Sequence, residues 1–192
     1  MIAIVKYNAG NIRSVQNAIN RLGYASVITD DPEEINASEK VILPGVGEAA
    51  SAMRYLKERN LDTVIKNLQQ PVLGICLGLQ LLCSESEEGN TQCLGVFENN
   101  VKRFEGSELI PQMGWNELSE LKSPLFRNIT AGADVYFVHS YFAELSQETI
   151  ATCKYIQPFS AALHKNNFFA TQFHPEKSAD VGEQILRNFL KL

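Results

Sequence analysis

Two short segments hold the residue types that acyl-transfer chemistry needs. The first is Gly74-Ile75-Cys76-Leu77-Gly78. A buried-type apolar run ends at this cysteine, a helical pattern starts after it, and a glycine lies two residues to each side. That is the pattern of a tight strand-to-helix turn with a nucleophile at its apex. Such a turn strains the central residue, lifts its sulfur above the sheet edge and aims the N–H groups of the next helix at it, which favours the thiolate. The thiolate is the nucleophilic form of cysteine. The second segment is Gln172-Phe173-His174-Pro175-Glu176. Pro175 keeps His174 extended, and Glu176 can hold one imidazole nitrogen while the other faces sulfur. Cys76 as nucleophile, His174 as proton donor to a leaving nitrogen and Glu176 as its orienter form a triad suited to opening an amide.

A third segment, Pro44-Gly45-Val46-Gly47, follows a predicted strand. In a parallel sheet its loop lies beside the cysteine turn, so the backbone N–H groups at Gly45 and Val46 can join that of Leu77 around a developing oxyanion. Glycine lets the Gly45-Val46 peptide flip at little cost, which makes it a candidate gate. As a dinucleotide loop the segment fails, because the third glycine is missing and the first strand does not precede it. His139 is a weaker base candidate with no carboxylate near it in sequence. His164 precedes Lys165-Asn166-Asn167, a predicted exposed hairpin turn. Three histidines and four cysteines without paired spacing predict no metal site. Cys83, Cys93 and Cys153 lack glycine flanks and read as core residues.

The elements that must position these groups follow from periodicity. Short apolar runs at 2–7, 25–29, 41–43 and 72–75 read as strands. Ile12, Val15, Ile19 and Leu22 recur at helical spacing, as do Ala49, Ala52, Met53 and Leu56, and Leu61, Val64, Ile65 and Leu68. The alternation predicts an α/β fold, a mostly parallel sheet with helices on both faces. Past residue 95 the runs at 101–104, 135–142, 149–155 and 168–173 predict a mixed or antiparallel extension. Val181, Ile185, Leu186 and Phe189 predict a closing helix. The chain has 192 residues, 45% of them apolar, and a net charge of −5. One domain over 1–192 is expected. The negative charge gives no support for nucleic-acid binding. The longest apolar stretch, 72–82, is broken by Gln80 and falls short of the roughly 20 residues of a membrane span. Without a signal-peptide pattern or a Cys-x-x-Cys pair, a reduced, cytoplasmic setting is expected.

Residues 74–82 together with 172–178 resemble the class I glutamine amidotransferases. Pro44-Gly45-Val46-Gly47, Met113-Gly114-Trp115-Asn116 and the run 136–141 are similar to the branch that supplies ammonia to imidazole glycerol phosphate synthesis. The likeness covers residues 2–190. It implies a flavodoxin-like three-layer fold and no cofactor. It implies that Cys76 attacks the side-chain amide of glutamine, that His174 protonates the departing ammonia and then activates water against a γ-glutamyl thioester, and that the Val46 and Leu77 N–H groups hold the oxyanion. Gln80 and Glu88 are implied as glutamine contacts, Glu88 at the α-amino group, with the main chain at His139-Ser140 also holding the substrate. Glu88 reads equally as part of a solvated acidic face with Glu85 and Glu87. The implied partner is a cyclase subunit folded as a (β/α)8 barrel, docked through Asn8, Asn11, Trp115 and Tyr136. Ammonia would pass to it and yield imidazole glycerol phosphate and an aminoimidazole carboxamide ribonucleotide. Gln112 departs from the family pattern, in which many members have His. The rival readings are another amidotransferase branch, including a sugar-amination paralogue, a stand-alone γ-glutamyl cysteine hydrolase, and a non-catalytic scaffold.

Overall fold

Short β-branched runs form the strands, and the amphipathic segments between them form the helices. In the computed structural model, which describes residues 1–7 and 10–192, the first half runs β1 (Ile2–Val5), α1 (Ile12–Arg21), β2 (Ser26–Thr29), α2 (Pro32–Ala37), β3 (Lys40–Leu43), α3 (Ala49–Glu58), α4 (Leu61–Lys66), β4 (Val72–Ile75) and α5 (Leu77–Leu82). The second half runs β5 (Glu85–Ser86), β6 (Thr91–Gln92), β7 (Asn100–Arg103), β8 (Gln112–Glu117), β9 (Asp134–His139), β10 (Tyr141–Ala143), β11 (Thr149–Lys154), β12 (Pro158–Lys165), β13 (Phe168–Thr171) and α6 (Ala179–Leu190).

The main sheet has the order β11-β12-β13-β4-β3-β1-β2. The five strands from β13 to β2 are parallel, and β12 and β11 extend them antiparallel. Side chains alternate between faces along each strand. Ile2, Ile4, Ile42, Leu73 and Ile75 pack with Val15 and Ile19 of α1 and Ile185, Leu186 and Phe189 of α6. Ala3, Val5, Val41, Leu43 and Val72 pack with Met53 and Leu56 of α3 and Leu61 and Ile65 of α4. Two smaller sheets, β10-β7-β5-β6 and β8-β9, lie outside it. No helix of the described residues is long and apolar enough to cross a membrane.

Several elements differ from the periodicity reading. Residues between the strands at 25–29 and 41–43, for which the periodicity predicts no helix, form α2: the Asp31 side chain accepts from the Glu33 N–H at 2.8 Å, and Pro32 fills the first helical turn. The run 135–142 breaks at Ser140 into β9 and β10, which belong to different sheets. β8 escapes a periodicity reading because its apolar residues, Met113 and Trp115, face solvent. β12 escapes because its centre is Ser160-Ala161-Ala162, small residues of low strand propensity. The turn does follow His164, at 166–167, but the residue is partly buried at the end of β12, stacked on Phe169 with ring centroids 4.1 Å apart.

Candidate active site

Four parallel strands end at one edge of the sheet, and each releases a site segment there. β3 leads to Pro44-Gly45-Val46-Gly47, β4 to Cys76, β13 to Gln172-Phe173-His174, and β1 to the loop that reaches Asn11. Ligand sites of open α/β sheets lie outside such carboxyl ends.

Cys76 has φ 53 and ψ −105. A side chain in that region costs on the order of 1–3 kcal/mol, which the surroundings must offset. The Cys76 N–H donates to Thr171 O at 2.7 Å, and its carbonyl accepts from the Leu79 and Gln80 N–H groups at 3.0 and 3.3 Å. The flanking glycines let α5 start hard against β3 and β4. A Cβ on Gly78 would lie 1.9 Å from Leu43 O, and one on Gly74 would lie 2.8 Å from Gly78 O.

His174 is clamped through its backbone. Its N–H donates to Tyr136 O at 2.9 Å, and its carbonyl accepts from Ser178 Oγ at 2.7 Å. Ser178 Oγ in turn accepts from the Tyr136 N–H at 2.9 Å. The imidazole Nδ1 lies 2.8 Å from Glu176 Oε1. Asn11 Nδ2 donates to that same oxygen at 2.6 Å. His174 Nε2 is buried and has no hydrogen-bond partner among the described residues. Burial alone would lower the His174 pKa. The negative charge and hydrogen bonding of Cys76, then those of Glu176, outweigh it and push the value up to about 10. The two residues follow neighbouring parallel strands, β4 and β13, at the same edge of the sheet, which brings sulfur and imidazole to one site.

Cys76, Leu77, Val46, Gln80, Glu88, His139 and Ser140 line one cavity of about 260 Å³. Glu88 is half-buried rather than part of a solvated face. Its Oε2 accepts from the Ala49 N–H at 2.8 Å, and burial raises its pKa. Gln80 is buried and turns its amide nitrogen inward, to Tyr141 O at 3.0 Å and Gln172 Oε1 at 3.1 Å. Trp115 and Tyr136 stand outside the cavity as an edge-on pair with centroids 6.1 Å apart, and Lys177 Nζ sits 5.9 Å over the Tyr136 ring. Trp115 is 54% exposed and Met113 66%. Asn8 lies outside the described residues.

The oxyanion site differs from the sequence expectation. The Leu77 N–H donates to Gly45 O at 3.2 Å, so a carbonyl occupies the donor that was expected to be free. This conformation is held from the other side. The Gly10 N–H donates to Val46 O at 2.9 Å, and the Tyr7 hydroxyl donates to Pro44 O. Gly45 and Gly47 have φ of 157 and 148, a backbone that a side chain would strain.

His139 is a structural group here. Its Nδ1 lies 2.7 Å from Tyr141 O and its Nε2 3.0 Å from the Gln112 side-chain amide, at the atom placed as Oε1; the two ends of that amide are interchangeable by rotation. Burial pushes its pKa down to about 4; the Tyr141 bond opposes this and the His174 charge adds to it. The ring is neutral, donates from Nδ1 and accepts at Nε2, so the Gln112 amide turns its nitrogen there. Below pH 6.5 the unfolded chain takes up a proton that folded His139 refuses. Stability should thus fall as pH drops from about 6.5 to about 4, by on the order of 3 kcal/mol. Denaturant unfolding at pH 4.5 and 7 measures this. A His139→Gln variant should show a smaller difference, and an equal one would contradict the assignment.

Asn11, Ser178, Gln172 and Tyr7 had no assigned role near the triad from sequence. Ser178 and Gln172 lie inside the 172–178 motif. Asn11 is 165 positions from Glu176, and no local signal links them. Among the described residues, no group of three or more His, Cys, Asp or Glu side chains is placed to hold a metal ion.

The sequence model of the family "Glutamine amidotransferase class-I" matches residues 4–192. The imidazole glycerol phosphate synthase subunit HisH of Bacteroides fragilis (strain YCH46) is 59% identical, over 100% of this chain and 99% of that protein. The subunit of the same name from Shewanella loihica is 46% identical, over 98% of this chain and 89% of that one. Among solved structures, a glutamine amidotransferase superposes with a TM-score of 0.78 at 20% identity, covering 100% of this chain and 98% of that chain. PurLQS from Thermotoga maritima superposes at 0.71 and 18% identity, covering 99% and 97%. At such identities these two support the fold alone.

Proposed function

The chain belongs to the class I glutamine amidotransferases, and from that premise we propose that it is the glutaminase subunit of an imidazole glycerol phosphate synthase, acting as one domain over its whole length. The observation that carries the mechanism is the meeting of two strand ends: Cys76 at the strained turn after β4, its side chain lining the 260 Å³ cavity, and His174 after the neighbouring β13, buried, held at Nδ1 by Glu176 and with Nε2 unpartnered.

Glutamine enters with its α-amino group toward the Glu88 carboxylate and its main-chain end near His139-Ser140. The Cys76 thiolate attacks the side-chain amide carbon, and the carbonyl π pair moves to oxygen. His174 gives its Nε2 proton to the amide nitrogen, the C–N bond breaks, and ammonia leaves. A water then loses a proton to His174 and attacks the thioester, and the C–S bond breaks to return thiolate and glutamate. Glu176 holds the imidazole through Nδ1 during both transfers.

Free ammonia would be protonated in bulk water, so a consumer docked at the cavity mouth is required. Exposed Met113 and Trp115, beside Tyr136 whose carbonyl receives the His174 N–H, give a partner surface one residue from the triad. The proposed partner is a cyclase subunit built as a (β/α)8 barrel, in the cytoplasm. Mixing the chain with candidate acceptor subunits and measuring glutamate release together with imidazole glycerol phosphate tests the reading. Stimulation by the cyclase alone is expected, and equal stimulation by an unrelated acceptor would overturn it.

Asn11 enters this scheme as a positioning residue as well as a candidate interface residue. Asn11→Ala removes the second donor to Glu176 Oε1. It should lower kcat about tenfold with KM for glutamine little changed, since a charge-assisted hydrogen bond is lost from a group that does not touch substrate. The ammonium-driven rate of the same complex controls for docking. An unchanged kcat would contradict the role.

A further inference from the structure

The Cys76 sulfur has two contacts outside the triad: as a thiol it donates to Val138 O at 3.8 Å, and it accepts from the Gln172 side chain, the one donor among them. Gln172 is fully buried on the exit from β13, and its Nε2 lies 3.6 Å from Cys76 Sγ. The two ends of an amide are interchangeable by rotation, so its neighbours must decide which end faces the sulfur. They do so without ambiguity. A backbone carbonyl can only accept. Tyr141 O is such an acceptor, and Gln80 Nε2 donates to it at 3.0 Å. The same Gln80 nitrogen donates to Gln172 Oε1 at 3.1 Å. With its oxygen engaged there, Gln172 presents N–H to the sulfur. Each end of this relay is anchored in the fold: Tyr141 pairs with Arg103 across β10 and β7, and the Gln172 backbone N–H donates to Ala161 O at 2.8 Å.

We propose that Gln172 is a catalytic hydrogen-bond donor to the Cys76 sulfur, held in orientation by Gln80. This rests on the reading of Cys76 as the nucleophile. A donor aimed at sulfur stabilises the thiolate more than the thiol. It acts at two points. Before attack it raises the fraction of anionic sulfur. When water adds to the thioester and the C–S bond breaks, the electron pair goes to sulfur, and the Gln172 N–H receives that charge. The Gln80 amide nitrogen then serves glutamine turnover through Gln172, since both of its bonds are directed into the protein.

The test is the pH profile of Cys76 alkylation by iodoacetamide in the free chain, read by mass spectrometry at the Cys76 peptide with no glutamine present. A residue that only binds substrate would not move this profile. In Gln172→Leu its midpoint should rise by about one pH unit, making alkylation at neutral pH about tenfold slower. Gln172→Glu keeps the shape and the acceptor for Gln80 but sets a carboxylate against the sulfur, so its midpoint should rise further. Gln80→Leu frees Gln172 to rotate and should give a smaller rise. Thermal unfolding midpoints report whether each variant is folded. If Gln172→Leu does not fold, the isosteric Gln172→Glu decides. A folded Gln172→Glu with an unchanged or lowered midpoint would overturn the proposal. Failure of the nucleophile reading shows up separately, as glutamine turnover that survives Cys76→Ala, and the alkylation profile still reports on the donor in that event.

Discussion

Replacing Cys76 by alanine should lower glutamine-dependent product formation by the assembled synthase by at least about 10²-fold, because the covalent route is removed. Synthesis driven by added ammonium salt should continue at its normal rate. The structure explains why the two activities should separate. The Cys76 side chain makes only long contacts, 3.8 Å to Val138 O and 3.6 Å to Gln172 Nε2, while the turn is held by its backbone. Alanine keeps those backbone bonds, so the surface offered to the partner should be unchanged. Steady-state rates with glutamine and with ammonium, measured on one preparation, give the comparison. Loss of both rates would point to docking or folding and would contradict a purely chemical role.

The second large effect concerns the state of the oxyanion site. With the Leu77 N–H bonded to Gly45 O, that donor is not available to a tetrahedral intermediate. Losing one such donor costs about 10²–10³ in rate. The free chain should therefore turn over glutamine about 10²–10³-fold more slowly than the complex engaged with its acceptor ligand. On this account activation is a rotation of the Gly45-Val46 peptide, which breaks the Leu77–Gly45 bond and turns the Val46 N–H, while Val46 O, on the next peptide, can keep its bond to Gly10. Glycine at 45 keeps that rotation cheap, since both end states can use a positive φ. The measurement is glutamate release by the free chain, by the binary complex, and by the complex with acceptor ligand. Equal rates in all three would show that the observed carbonyl does not limit turnover.

How much of this was legible in the sequence depended on distance along the chain. The elbow could be read because its requirements are local: a strand, a cysteine and two glycines within five residues. His174 and Glu176 could be read for the same reason. The parallel half of the sheet followed from alternating strand and helix patterns, whose apolar residues face inward. β8 and β12 did not, because one turns its apolar residues outward and the other is built from small ones. The resemblance implies Asn11 only as a partner-surface residue, and nothing in sequence connects it to Glu176. Gln172 lay inside a quoted motif, yet its contact with sulfur depends on Gln80 and Tyr141, which come from two other elements. The closed oxyanion loop was least legible, since the same four residues permit both peptide orientations and the choice lies with Gly10, Tyr7 and Leu77.

Everything above depends on residue 76 becoming acylated during turnover, with its proton traffic carried by the imidazole at 174. The direct measurement is to quench the active complex in acid during steady-state turnover of isotope-labelled glutamine and to map the label by mass spectrometry. One labelled γ-glutamyl group is expected on the peptide holding Cys76, released by mild base, and absent from Cys76→Ala. Label on any other peptide, or full turnover with none trapped on the chain, would contradict the account.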